Sequence, residues 1–205
     1  MTKGSMFESV GRWLETQYSK ASPTALLLEP LVDPEDFGVP PEMREGEVDA
    51  SGNVRWKLLP GTLGDAALAE IEARTGKLPP ALAGWLLARH HLFHQATTTS
   101  KRLLTLPPAP IHAPLRDFEE LLEAWAPLID AKWIAFGDYD AGAGPLCLDL
   151  AGRTASGDAP VVWFDHEALQ SLDDAGLRDR AALEPLAQPL YPSFEALLAD
   201  IVAFG

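Results

Sequence analysis

Three histidines crowded into five residues, His90, His91 and His94, are the first candidates for chemistry. On a helix His90 and His94 would share a face, as two zinc ligands do. No glutamate separates them, no cysteine accompanies them, and His112 and His166 lie in unrelated segments. The pattern therefore reads as helix-end histidines facing the negative end of the helix dipole, with no metal. Asp138 and Asp140 stand among glycines, but the run lacks the alternating oxygen ligands and distant glutamate of an EF-hand calcium loop. A solvated hairpin tip accounts for it. Asp165, His166 and Glu167 contain the makings of a catalytic dyad, yet a hydrolase also needs a nucleophile in a recognisable turn, and no Gly-x-Ser-x-Gly occurs. A turn at the end of a strand is the simpler reading. Gly142 and Gly144 lack the lysine and the strand-to-helix setting of a phosphate loop. The residues thus point to a protein that is no enzyme and takes no cofactor.

Charge narrows the partners. The chain of 205 residues carries 30 Asp and Glu against 16 Lys and Arg, a formal charge of -14 spread along its length. Such a surface repels phosphate backbones and anionic lipid headgroups, which argues against nucleic-acid and membrane partners. It attracts a basic protein by long-range steering, although acidity also serves solubility. Cys147 is the only cysteine, so no internal disulfide forms and a reducing, cytoplasmic setting fits. The first residues contain no apolar run of signal-peptide length, and no segment has the roughly 18 consecutive apolar residues of a membrane span. Nothing in the composition bears on oligomeric state.

The elements that must position these residues follow from spacing. Phe7, Val10, Leu14 and Tyr18 mark an amphipathic helix from Ser5 to Lys20. A loop rich in proline follows, from Asp33 through Pro34 to Pro41. Ser51, Gly52 and Asn53 are turn chemistry, and Val54, Trp56 and Leu58 alternate as a half-buried strand does, which predicts a hairpin. Leu68, Ile71 and Thr75 predict a helix capped by Asp65 and stopped by Gly76. Leu82, Trp85, Leu86, Arg89 and Leu92 predict a second, begun by Pro79 and Pro80. Phe118, Leu121, Leu122 and Trp125 predict a third, terminated by Pro127. Three strands come next: Trp133 to Phe136, then, past a loop from Gly137 to Gly144, Pro145 to Leu150, then Val161 to Phe164. Ser193 caps a closing helix with Phe194, Leu197, Leu198, Ile201 and Val202 on one face. Helices, then strands, then a helix predict an α+β fold: an antiparallel meander packed against helices on one side, with a helical N-terminal extension. The expected division is an extension over residues 1–60, packed on a main domain over 61–205. Of the tryptophans, Trp13 and Trp56 belong to the extension, where they could anchor either the extension or a partner.

Read in order, these signals resemble the Smi/Knr-like pattern of the SUKH superfamily from about Leu68 onward. Three blocks carry the resemblance. The first runs from Ile71 through Gly76, Leu78 and Pro79 to Leu87. The second runs from Trp133 through Gly137, Asp138, Gly142 and Gly144 to Asp149. The third joins Val161 to Glu167 with Ser193 and Phe194. His90, His91 and His94 depart from it, standing where the family commonly has a short glycine turn. The resemblance implies a SUKH-like domain in which Leu78, Pro79, Trp133, Gly137, Gly142, Gly144, Ser193 and Phe194 are scaffold. It further implies an immunity protein that binds a cognate bacterial toxin, encoded by an adjacent gene and often nucleic-acid-targeting, and neutralises it by steric blocking. The alternative is a regulatory interaction module of the Smi/Knr type. Together with the charge, it places the toxin-binding surface on Asp138, Tyr139, Asp140, Asp165 and Glu167.

Overall fold

The structure, a computed structural model, describes residues 3–33 and 36–204. Pro34 of the expected proline-rich loop lies outside the described residues, as does the expected capping side chain of Asp65. The N-terminal part contains α1 (Lys3–Lys20), β1 (Leu27–Leu28), β2 (Arg44–Glu45), β3 (Val54–Trp56) and β4 (Leu59–Pro60). Then come α2 (Ala69–Thr75), α3 (Pro80–Leu87), β5 (Arg89–His90), β6 (Gln95–Thr98) and β7 (Leu103–Thr105). These lead to α4 (Arg116–Ala124), α5 (Ala126–Asp130), β8 (Trp133–Tyr139), β9 (Gly144–Asp149) and β10 (Val161–Trp163). The chain closes with α6 (His166–Gln170), α7 (Asp174–Arg178), α8 (Arg180–Leu183), β11 (Gln188–Tyr191), α9 (Phe194–Asp200) and β12 (Ile201–Phe204).

The α+β class is as expected, and the sheet is larger than the sequence predicts. Seven antiparallel strands run in the order β11-β10-β9-β8-β7-β6-β12. From β6 to β11 the chain is a continuous meander, and β12 returns beside β6, pairing Phe204 with Ala96. Side chains alternate across a strand, and here both sets are buried. Ile134, Phe136, Leu146, Leu148 and Val161 join a core with Leu82, Trp85, Phe194 and Leu197 of α3 and α9. Trp133, Ala135, Cys147 and Val162 join a second core with Leu128, Leu169 and Leu183 from α5, α6 and α8. The short C-terminal helices thus cover a face that the sequence left open.

The N-terminal part shares the first core. As predicted, α1 buries Val10 and Leu14. It lies on α3, with the Trp13 and Trp85 ring centroids 6.1 Å apart and Glu15 paired to Arg89 at 2.6 Å. The predicted hairpin forms: Asp49 Oδ1 accepts from the amides of Ser51 at 2.8 Å and Asn53 at 3.0 Å, and β3 pairs with β2 and β1. Trp56 is fully buried, and Tyr18 donates its hydroxyl to the Trp56 carbonyl at 3.0 Å. Both extension tryptophans therefore pack on the body.

Several predicted boundaries move. The helix begun by Pro80 ends at Leu87, and Arg89 and His90 instead form β5, pairing with Pro60 and Leu59. Every residue from Ala81 to Leu87 is buried, so no polar face marks where this helix stops. Pro127 does not simply terminate α4: it sits in the first turn of α5, where a missing N–H is tolerated. The closing helix stops at Asp200, and Ile201 and Val202 belong to β12. Its Ser193 cap is as predicted, accepting from the Ala196 amide at 3.0 Å. Among the described residues no helix is long and apolar enough to cross a membrane.

Candidate functional site

The histidines do not form one site. His90 lies in β5, with Nε2 2.8 Å from Thr62 Oγ1, and His91 is fully buried with Nε2 3.1 Å from the Trp85 carbonyl. His94 lies beyond both, with its ring centroid 5.2 Å from that of Phe37. None of the three is on a helix, so the helix face expected to be shared by His90 and His94 is absent, whereas His91, beside the Trp85 carbonyl in the last turn of α3, does meet the negative end of a helix. Burial lowers the pKa of all three, His91 to about 4. Among the described residues no group of three His, Cys, Asp or Glu could hold a metal ion. Burial pushes the Cys147 thiol well above its usual range and leaves it an inert part of β9.

Half of the predicted loop from Gly137 to Gly144 is strand. β8 runs to Tyr139 and β9 starts at Gly144, which leaves Asp140 to Ala143 as the hairpin tip. Asp140 and Ala141 take φ of 50° and 60°, and Gly142 takes 95°. Gly144 has φ 146°, and a Cβ there would collide with the Phe164 carbonyl, so only glycine lets β10 leave so close to the tip. At Gly137 a Cβ would lie 2.5 Å from the Thr105 carbonyl, which explains glycine at the point where β8 leaves its pairing with β7. The His166 amide donates to the Ala143 carbonyl at 2.9 Å, fastening the start of α6 to the tip.

The other residues assigned to the scaffold have visible packing. Leu78 is buried and its amide donates to Glu72 Oε1 at 3.1 Å, while Pro79 takes the position before the first turn of α3. Trp133 meets Phe164 edge to face at 5.2 Å and lies under the Arg180 guanidinium at 4.5 Å. Phe194 meets Phe136 edge to face at 5.2 Å.

The five residues assigned to recognition divide between surroundings. Asp138 is half-buried and accepts from the Gly142 amide at 2.9 Å, and burial raises its pKa. Tyr139 packs on the first core beside Trp163, with centroids 4.9 Å apart. Asp140 pairs with Arg102 at 2.6 Å. Asp165 caps α6, accepting from the Ala168 amide at 3.1 Å. Glu167 is exposed in the first turn of that helix. The tip and the start of α6 are neighbours, but Asp138 and Tyr139 face different surroundings and Asp140 and Asp165 already have partners.

Asp138 instead borders a groove that the sequence reading missed. This cavity of about 320 Å³ lies between α4 and the fork where β7 and β8 part. Leu106, Pro107, Pro108, Leu121, Ala124 and Gly137 make it largely apolar, and Asp117, Glu120 and Asp138 add three carboxylates beside His94 and Thr105. Asp117, Glu120, Leu121 and Ala124 follow the spacing i, i+3, i+4, i+7 and form one stripe of α4. Phe118 and Leu122 form the adjoining buried stripe. Leu121 fits both this stripe and the apolar one of Phe118, Leu122 and Trp125, and in the fold it is only half-buried. Arg116 pairs with Asp117 at 3.1 Å and reaches Glu120 at 3.9 Å. No protein-family model and no curated protein matches the chain.

Proposed function

We propose that this chain is an immunity protein of the SUKH type that binds a basic cognate toxin and neutralises it by covering its working surface. The observation that carries this reading is an apolar groove edged by Asp117, Glu120 and Asp138 in a chain of charge -14. Apolar contact supplies affinity at a protein interface, and complementary charge supplies encounter rate and partner choice. The order of the Leu78-Pro79, Trp133-to-Gly144 and Ser193-Phe194 signals supports the family assignment. A single, fully buried Cys147 suits a reducing cytoplasm. A standard interface would bury roughly 800 Å² on each partner, far more than the groove alone, so exposed Glu167 and the tip around Asp140 belong to the wider surface.

The test is co-expression with the product of the adjacent gene, followed by affinity capture and a toxicity assay. A stable complex that removes toxicity is the expected result. The double variant Asp138→Lys, Asp140→Lys weakens that complex, more so at low salt. Capture that ignores both reversals would remove the hairpin from the binding surface, and absence of any complex would overturn the immunity reading.

A further inference from the structure

We infer that the groove between α4 and the β7–β8 fork receives a partner segment in which an aliphatic or aromatic side chain is flanked by lysine or arginine. This rests on the reading of the chain as a binder of a basic protein and states what that protein must present. A volume of about 320 Å³ is at the lower end of small-ligand pockets, which suits one or two inserted side chains. Leu106, Pro107, Pro108, Leu121 and Ala124 offer such a side chain apolar contact. Phe37, 43% exposed and beside His94, extends the apolar strip past the groove's end.

The rim selects the flanking charge. Three carboxylates meet one guanidinium, because Arg116 serves both Asp117 and Glu120. The Glu120 side chain is 69% exposed and can swing to a cation. Asp138 is fixed by the Gly142 amide with burial already disfavouring its charge, and an incoming cation would relieve that penalty. A purely apolar segment would strip water from these carboxylates without replacing its hydrogen bonds. An anionic segment or a nucleic-acid backbone would be repelled. Arginine and lysine beside an apolar anchor satisfy both the floor and the rim.

The experiment uses the full chain and a short fluorescent amphipathic peptide of leucine and lysine, with leucine–glutamate and serine–lysine peptides as controls, read by anisotropy. The leucine–lysine peptide is expected to bind and the controls at least about tenfold more weakly. Leu121→Arg places a cation in the floor and Glu120→Lys reverses the exposed rim, and each is expected to weaken binding about tenfold while the thermal midpoint stays near that of the parent. Equal binding of the serine–lysine peptide, or binding unaffected by both variants, overturns the inference, as does failure of the leucine–lysine peptide to bind. The same two variants are then tested for capture of the adjacent gene's product. Capture by the parent that both variants retain sinks the groove and leaves the immunity reading intact. No capture even by the parent, with the peptide pattern as expected, sinks the immunity reading and leaves the groove's chemistry.

Discussion

Trp56 of the N-terminal part and Phe93 of the body meet edge to face, with centroids 5.0 Å apart and ring planes at 83°. Both rings are buried, and the ring centroid of Phe204, in the last strand, lies 4.2 Å from that of Phe93. One aromatic cluster thus joins the start, middle and end of the chain. Truncating Trp56→Ala leaves a cavity at this junction and is expected to lower unfolding stability by about 3–5 kcal/mol, measured by urea titration. Removing residues 1–60 is expected to give an aggregating or molten chain by near-ultraviolet circular dichroism. A sharp native spectrum from the truncated chain would show that the body folds alone.

Gly144 and Gly142 share a positive φ and differ in their surroundings. Gly144→Ala meets the Phe164 carbonyl as well as strain, whereas a Cβ at Gly142 meets nothing within 4 Å. The expected losses are about 3 kcal/mol at Gly144 and about 1 kcal/mol at Gly142. Equal thermal midpoints for the two variants would contradict this account of the hairpin.

His91 makes stability fall on acidification. Its pKa is about 4 in the fold against 6.5 unfolded, because burial disfavours the imidazolium. The unfolded chain therefore binds more protons between those values. Stability is fully present above about pH 6.5 and is lost as pH falls toward 4, by roughly 3 kcal/mol from this group. His90 and His94 act in the same direction, while Asp138, with its raised pKa, acts against them. His91→Leu is expected to flatten the dependence of the urea midpoint on pH between 7 and 5. An unchanged slope would place the proton uptake elsewhere.

Asp158 ties the loop after β9 to α9. Its carboxylate is buried and accepts from the Ala159 amide at 2.8 Å and, at 3.4 Å each, from the amides of Phe194 and Glu195. Asp158→Ala leaves those donors without it, and Arg153 loses a neighbouring charge. A loss of about 1–3 kcal/mol is expected, with amide exchange accelerated first at Phe194 and Glu195. Uniform acceleration across the sheet would argue against a local role.

Much of the frame could be read directly from residue order. Val10 and Leu14 on α1, the turn at Gly52, the stop at Gly76 and the Ser193 cap all follow from local rules, because each depends on neighbours within a few positions. Tertiary structure decided where these rules are silent. Burial on every side hides the end of α3, so Arg89 and His90 become strand through pairing with Pro60 and Leu59. Ile201 and Val202 leave the helical register because β6 offers an open edge. The groove is the clearest case: Asp117 and Glu120 lie well before Asp138 in the chain, and only packing of α4 across the β7–β8 fork brings them to one cavity. Charge and its sign are additive over a sequence. Which charges face one another depends on the whole fold.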